Sequence, residues 1–339
     1  MVIPRRYLLR TFGLTAIGTQ LLPIAQSNLL PKSPTPILPP RLQLGDTVAL
    51  INPAAFAYEK EVKPFLKAAE LLGLKLKLGK HFYDRYGYLA GKDADRAADV
   101  NNAFADSSVQ AIFTGMGGWG CGRILPLLDY NIIRNNPKII IGFSDVTALL
   151  LAIHTKTNLV TFHGPLGVSS WSSFTVDYLK QVLFDAGAVT CQNPQKMDIE
   201  TIRDGKARGK LIGGNLSVIS TMIGSGYLPD WQNNILFVEE VSEEVYRIDR
   251  MLTQLKLAGI LDQISGFIFG QCTKCDPETP KESLTLTQVL SDRIRPLKIP
   301  AWYGSAIGHI RDKFTLPIGQ EVEIDAGYGT IRLLDSAVN

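Results

Sequence analysis

The chain has 339 residues, 45% of them hydrophobic, which is enough for about two domains with well-packed cores. Its glycine and proline contents are ordinary and no repeat of solenoid length is visible, which excludes fibrous, low-complexity and solenoid classes. The formal charge of +3 equals the three arginines among residues 1–26, a stretch without acids, so the remaining chain is neutral and nothing electrostatic predicts a nucleic-acid partner.

The first forty residues predict an export signal followed by a linker. Arg5 and Arg6 precede an uncharged, apolar run at 11–25, which has the length of a signal-peptide core and is too short to span a bilayer. The pattern resembles a twin-arginine signal, although no clear small-residue cleavage site follows. Residues 31–40 are proline-rich and predict an extended linker. We therefore expect export to the periplasm without a stable membrane span; the alternative is a cytoplasmic protein with an amphipathic N-terminus.

Residues 41–170 predict a parallel α/β layer, because strand and helix patterns alternate along them. The predicted strands are 46–51, 74–78, 109–114 and 138–141, the predicted helices are 58–72, 93–105 and 146–154, and 131–136 is a predicted connector.

Residues 171–207 predict a crossover, and 208–335 a separate domain in which strands and helices are mixed differently. Its predicted strands are 209–212, 235–238, 266–270, 301–304, 322–325 and 330–334, and its predicted helices are 216–223, one between Ser242 as N-cap and Gly259, and 285–293. The predicted fold class is α/β, with an N-terminal parallel-sheet domain and a smaller C-terminal α+β domain that has its own sheet.

Cys272 and Cys275 form a lone C-x-x-C pair. A zinc site would need a second pair of cysteines or histidines at ligand spacing, and none follows. We predict a surface turn, with a local disulfide if the protein is exported.

Ser144 is the first candidate catalytic residue. It lies between a predicted apolar strand and a predicted helix, where helix amides can stabilise an anion that forms beside it. This is the arrangement of a nucleophile elbow, although Val146 stands where a second glycine is usual. The alternative is that Ser144 only caps the helix, and the local sequence by itself favours that alternative because capping serines are common.

Glu239 and His309 are candidates for the acid and the base that would activate this serine. Glu239 closes the strand predicted at 235–238, but it also fits an acidic cluster at a helix entry. His309 lies in a loop, where most histidines are simply surface residues. In a Ser–His–acid arrangement the imidazole takes the serine proton and the acid holds its tautomer. His163 precedes a Gly-Pro pair and could also line a site.

The loop at 115–120 matches G-x-G-x-x-G, and Asp145 lies 25 residues beyond Gly120. This is the basis of a second hypothesis, a dinucleotide site. Pro126 early in the following helix and the bulky Trp119 weaken it, as does the position of the loop after about three strands. A glycine loop with free backbone N–H groups at a strand end can bind an oxyanion as well as a pyrophosphate.

Several short motifs together resemble one family, although none is decisive alone. They are GYLAG at 87–91, GGWG at 117–120, IGFSD at 141–145, HGP at 163–165, GGNL at 213–216, FVE at 237–239, YRIDR at 246–250 and GH at 308–309. In number, order and spacing they resemble the LD-carboxypeptidases, the muramoyl-tetrapeptide carboxypeptidase family that includes the microcin C7 self-immunity proteins.

The resemblance implies a serine peptidase with Ser144 as nucleophile and Glu239 and His309 completing the triad. It implies an oxyanion hole made by backbone N–H groups of Gly118 and Asp145.

The resemblance also implies the substrate and the assembly. We expect Gly117, Trp119 and His163 to contact the substrate, a muropeptide from which a terminal D-alanine is released at an L,D-amide. No metal and no cofactor are implied, and family members are commonly homodimers.

The sequence departs from the family pattern in the glycine loop. Met116 and Trp119 stand where the family usually has Arg and Tyr, and loss of the Arg removes a bidentate anion contact. The departure therefore concerns the substrate contacts rather than the triad. Three alternatives stay open: hydrolysis of a peptidyl-nucleotide antibiotic, a nucleotide-binding oxidoreductase, and an exported binding protein without catalysis.

Overall fold

Two sheets, flanked by helices, organise the part of the chain that the computed structural model describes, residues 35–339 except Asp276 and Glu278. The α/β class predicted from the sequence is confirmed. The predicted export signal lies outside the described residues, so export stays a prediction. None of the helices within the described ranges is long and apolar enough to cross a membrane.

The first sheet has six strands in the order β12-β5-β4-β3-β1-β2. Strands β1 to β5 are parallel, as the strand–helix alternation predicts, and β12 joins the edge antiparallel to β5. Its elements and those between them are β1 (Thr47–Ile51), α1 (Glu59–Leu71), β2 (Lys75–Leu78), α2 (Asp93–Ala105), β3 (Ala111–Thr114), α3 (Cys121–Ile124), α4 (Tyr130–Asn135), β4 (Ile139–Gly142), α5 (Thr147–Thr157), β5 (Thr161–His163) and α6 (Ser173–Leu183).

The second sheet has eight strands in the order β6-β14-β13-β8-β9-β10-β11-β7, with β8 to β11 parallel at its centre. Its elements and the remaining helices are β6 (Thr190–Cys191), β7 (Glu200–Arg203), β8 (Lys206–Asn215), α7 (Leu216–Met222), β9 (Ile235–Val241), α8 (Val245–Leu257), β10 (Gly266–Thr273), α9 (Leu286–Ile294), β11 (Ala301–Tyr303), β12 (Leu316–Ile318), β13 (Glu321–Asp325) and β14 (Thr330–Leu333).

The sheets do not divide cleanly by position in the sequence. β12 comes from the C-terminal part of the chain but completes the first sheet. The backbone N–H of Asn215, at the end of β8, donates to the hydroxyl of Thr147 at the start of α5 (2.9 Å). The domain boundary at 171–207 therefore stays a prediction, and the site below draws on both sheets.

Three local predictions were wrong. Residues 131–135 of the predicted connector are helical, because Asp129 caps α4 by accepting from two of its first N–H groups. Strand β9 does not stop at the acidic run but continues through Glu239 to Val241, since both neighbouring strands pair with it there. Ser242 has a left-handed backbone (φ 56°) and does not cap α8, whose N-cap position is Glu244. The C-x-x-C pair has the predicted exposed turn, at Lys274, and forms a local disulfide between Cys272 at the end of β10 and Cys275.

His163, the last residue of β5, is buried between the two sheets. Its ring packs between those of Phe143 and Phe237, with centroids 5.8 and 5.2 Å away. It is 2% exposed, and neither ring nitrogen has a hydrogen-bond partner among the described residues. Burial lowers the pKa of His163 to about 4, against an opposing pull from the Glu239 carboxylate. The imidazole is therefore neutral near pH 7.

We expect His163→Phe to change how stability depends on pH. The unfolded chain binds a proton at this histidine near its ordinary pKa, whereas the folded chain binds it only near pH 4. The unfolded state thus holds more protons between these values, so stability falls as the pH drops through them. Phenylalanine does not bind a proton, so the variant does not lose this stability. Between pH 7 and pH 4 its free energy of unfolding should rise by about 3 kcal/mol relative to that of wild type.

Urea unfolding of both proteins across this range measures the difference, in which acid effects common to both cancel. Parallel stability curves would show that the histidine is not held neutral by burial.

Candidate active site

Ser144 stands at a sharp turn between β4 and α5. Its backbone is left-handed (φ 63°), a conformation that costs free energy for a non-glycine residue and that recurs at active sites. Gly142 makes the turn possible, because a Cβ there would lie 2.2 Å from the hydroxyl of Thr114 and 2.8 Å from a methyl of Val146. The side chain of Ser144 does not cap α5. The turn has the form of a nucleophile elbow, and the capping alternative does not apply.

The imidazole of His309 joins this serine to Glu239. Its Nε2 lies 3.1 Å from Ser144 Oγ, and its Nδ1 lies 2.7 Å from Glu239 Oε2. Gly308 (φ 111°) lets the loop pass close to the acid, since a Cβ there would lie 2.7 Å from the same Glu239 oxygen. The Phe143 ring packs against the imidazole edge to face, with centroids 4.8 Å apart. The structure therefore brings together the three side chains that the sequence predicts as a triad.

Glu239 is fully buried within β9 and is nevertheless held in its charged form. Burial raises the pKa of its carboxyl, but the hydrogen bond and charge of His309 and a hydrogen bond from Asn215 together bring it below its ordinary value. The Asn215 amide lies 3.1 Å from Glu239 Oε1. A charged carboxylate here can orient the imidazole and stabilise its protonated form.

The neighbouring Glu240 is a second buried carboxylate with different partners. It accepts from the backbone N–H of Ser217 (2.8 Å) and from that residue's hydroxyl, and from the amide of Asn215 (3.1 Å). Burial leaves the pKa of Glu240 above its ordinary value, whereas the pKa of Glu239 lies below its ordinary value. Asn215 thus contacts both acids, and only Glu239 contacts the histidine.

The glycine loop after β3 packs directly on the serine. A Cβ at Gly117 would lie 2.9 Å from Ser144 Cβ and 3.0 Å from Ser144 Oγ. Gly118 has a left-handed backbone (φ 97°) and fits against Ala55. Among the described residues, neither the N–H of Gly118 nor that of Asp145 donates a hydrogen bond to the protein. Both amides are therefore open to an acceptor from a substrate, and their role in an oxyanion hole stays a prediction.

The remaining predicted substrate contacts differ in exposure. The Trp119 side chain is 66% exposed on the same loop, whereas His163 is closed off between two rings. Their substrate contacts stay predictions.

Two residues of this neighbourhood were missed at the sequence level. Asn215 could have been recognised as an N-cap, which it is, but nothing local indicates that it also binds two acids. Lys313 is 3% exposed, with its ammonium 4.6 Å above the Phe143 ring. Burial lowers its pKa to about 8, while nearby Glu239 and Asp312 oppose that shift. No sequence pattern marked this buried lysine.

The geometry does not favour a dinucleotide site. The helix that follows the glycine loop, α3, has only four residues. Its first N–H, from Cys121, already donates to the side chain of Asp145 (2.7 Å), so a carboxylate occupies the position where a pyrophosphate would bind. Asp145, the acid that this hypothesis would assign to a ribose, has another partner.

One group of described residues has the ligand atoms of a metal site, namely His81, Asp84 and Asp95. It lies in the loop after β2 and at the start of α2. The Nδ1 of His81 is already bonded to Asp84 at 2.7 Å, which is the geometry of a surface ion pair.

Known proteins resemble the chain along most of its length. The model of the LD-carboxypeptidase N-terminal domain matches residues 48–164, and that of the C-terminal domain matches residues 208–324. A probable murein peptide carboxypeptidase of Bacillus subtilis is 39% identical over 297 residues, which are 86% of this chain and 92% of that protein. The murein tetrapeptide carboxypeptidase of Pseudomonas aeruginosa is 30% identical over 287 residues, 82% of this chain and 92% of that protein.

A solved structure of MccF in complex with glutamyl sulfamoyl guanosine has the same fold, with a TM-score of 0.82, 28% identity, and coverage of 90% of this chain and 100% of that one. The Escherichia coli protein of that name is a microcin C7 self-immunity protein. Since both domain models match in order and the relatives align over nearly their whole length, this chain belongs to the LD-carboxypeptidase family.

Proposed function

We propose that the chain is a serine-type LD-carboxypeptidase that releases the terminal D-alanine of a murein tetrapeptide. The single observation that carries this proposal is the hydrogen-bonded series Glu239–His309–Ser144, which ends on a serine with a left-handed backbone. The names of the murein relatives support the substrate class. A homodimer stays a prediction.

In the first step, His309 Nε2 accepts the proton of the Ser144 hydroxyl as Oγ attacks the carbonyl of the scissile amide. The carboxylate of Glu239 keeps Nδ1 protonated and stabilises the imidazolium that forms. The N–H groups of Gly118 and Asp145 donate to the developing oxyanion, and each such donor contributes about 3 kcal/mol in serine peptidases.

In the second step, the imidazolium gives its proton to the leaving nitrogen and D-alanine departs, which leaves the shortened peptide as an ester on Ser144. Water then attacks the ester with His309 again as base, and the serine is restored. The proposed mechanism uses no metal and no cofactor.

A second candidate function is hydrolysis of an aminoacyl or peptidyl nucleotide by the same residues. It is favoured by the full-length likeness to MccF, whose structure holds a glutamyl sulfamoyl nucleoside. Turnover numbers for a murein tetrapeptide and for such a conjugate, measured on one preparation, separate the two candidates.

We expect Ser144→Ala to lower kcat on disaccharide-tetrapeptide by at least about 10⁴-fold, because no other group replaces the nucleophile. Release of D-alanine is followed by mass spectrometry, and circular dichroism checks that the variant is folded. Ser225→Ala, at an exposed serine, is the matched control and should keep wild-type turnover. Full activity of the Ser144 variant would refute the mechanism.

The two buried acids provide a sharper comparison. Glu239→Gln keeps the shape but cannot hold the imidazole in the required tautomer, so we expect kcat to fall by about 10⁴-fold. Glu240→Gln should cost less than about tenfold, because that acid contacts Ser217 and Asn215 rather than the histidine. Both rates come from the same D-alanine assay. Equal losses of kcat in the two variants would mean that the contact between Glu239 and His309 has no special role in catalysis.

A further inference from the structure

An exposed pair of aromatic rings lies beside the glycine loop and has no role in the mechanism above. Trp119 is 66% exposed and Tyr88 is 58% exposed. Their rings touch edge to face, with centroids 6.0 Å apart and planes at 79°. Large aromatic surface exposed to water is a common sign of a binding site. We call these two residues the aromatic corner.

The loop that carries Trp119 is fixed, although the ring itself is open to solvent. Both flanking glycines are left-handed, and a Cβ on them would lie 2.7 Å from Ala55 Cβ at Gly118 and 2.5 Å from a Leu89 methyl at Gly120. The buried guanidinium of Arg96 donates to the carbonyl of Gly120 at 2.9 Å. The indole is therefore presented by a backbone with little freedom to move.

Tyr88 is held by a tight turn against the same framework. Tyr86 and Leu89 exchange two backbone hydrogen bonds of 2.9 and 3.0 Å around it. The next residue, Ala90, donates to the carbonyl of Ala54 at 2.9 Å, and the neighbouring Ala55 donates to Gly117 of the glycine loop at 3.0 Å. The backbone that carries the two aromatic side chains is thus pre-organised, which reduces the entropy lost when a ligand binds them.

The short stretch of chain between Gly117 and Trp119 limits how far the indole can lie from the serine. Gly117 packs on Ser144, and two residues of chain reach at most about 7 Å beyond it before the indole begins. In the proposed substrate the first residue of the tetrapeptide is attached to the sugar, and the fourth residue is released. The three residues between the sugar and the scissile bond span about 10 Å when extended. A sugar on the peptide can therefore reach the aromatic corner.

The shape and surroundings of the corner favour a sugar. Rings near a right angle offer two faces to a chair-shaped pyranose, whose C–H groups pack on aromatic carbon, whereas a flat nucleobase would stack on one face only. Arg123, in α3 directly after the glycine loop, is exposed and donates to Asp93 at 2.8 Å. This ion pair supplies hydrogen-bonding groups for sugar hydroxyls next to the loop that carries Trp119.

We propose that Trp119 and Tyr88 form a subsite for the amino-sugar ring of the muropeptide, so that the enzyme selects glycan-bearing tetrapeptide over free tetrapeptide. The proposal rests on the proposed function and names the part of the substrate that this surface binds.

The test compares kcat/KM for disaccharide-tetrapeptide and for free tetrapeptide. Wild type should prefer the glycan-bearing substrate by about tenfold. Trp119→Ala should bring that ratio close to one, Trp119→Phe should keep part of it, and Tyr88→Ala should reduce it. Tyr328→Ala, at a 76% exposed tyrosine in the turn between β13 and β14, is the matched control and should keep the wild-type ratio.

A wild-type ratio of one, or a ratio that Trp119→Ala leaves unchanged, would overturn the proposal. It would also be overturned if that variant weakened turnover of a nucleoside conjugate but kept the muropeptide ratio, because the corner would then bind a base. Calorimetric binding of the peptide-free disaccharide to wild type and to Trp119→Ala tests the subsite without turnover. If neither tetrapeptide is hydrolysed, the proposed function fails. The difference in disaccharide affinity between wild type and Trp119→Ala then still shows whether the subsite exists.

Discussion

The buried negative charge of Glu239 is the constraint on which the arrangement of the site depends. An isolated carboxylate inside a protein is costly, and removing one partner of a buried ion pair typically costs about 3–5 kcal/mol. Here the partners come from other elements: the imidazole from the loop after β11, and the Asn215 amide from the end of β8. The charged carboxylate therefore holds β9, the end of β8 and the loop after β11 together. It also fixes the orientation of the histidine.

The serine is held from the other side by close backbone packing. Ser144 has a left-handed backbone, and Gly142 and Gly117 allow the chain to pack closely around it because neither has a side chain. Thr147, at the start of the following helix, receives a hydrogen bond from the backbone of Asn215, the residue whose side chain contacts the acid. The elbow and the buried acid are thus linked through one asparagine. A displacement of either one should therefore change the 3.1 Å contact between His309 and Ser144.

The parts of the fold with a clear local pattern could be predicted from the sequence. The first four strands and the main helices follow from hydrophobic periodicity, and the turn at Ser144 from an apolar run that ends before a helix. The burial of Glu240 could not be predicted, because an acid pair at a strand end usually indicates solvent, and the strand pairing that buries it involves distant residues.

The same limit applies to the contacts of the site. His309 lies 70 residues from Glu239 and 165 from Ser144 along the chain, so no local pattern can indicate that they touch. Their predicted association came from resemblance to a family rather than from periodicity or spacing. Strand β12 and the buried Lys313 were missed because a short strand and a single lysine have no periodic signature of their own.

The most direct test of the account is covalent labelling with a fluorophosphonate, which reacts with serines activated by a neighbouring base. Digestion and mass spectrometry should locate the adduct on Ser144, and the labelling rate should drop by at least about 100-fold in Glu239→Gln. An adduct on a different side chain, or labelling that persists in Ser144→Ala, would contradict the claim that the buried acid and the histidine activate this serine.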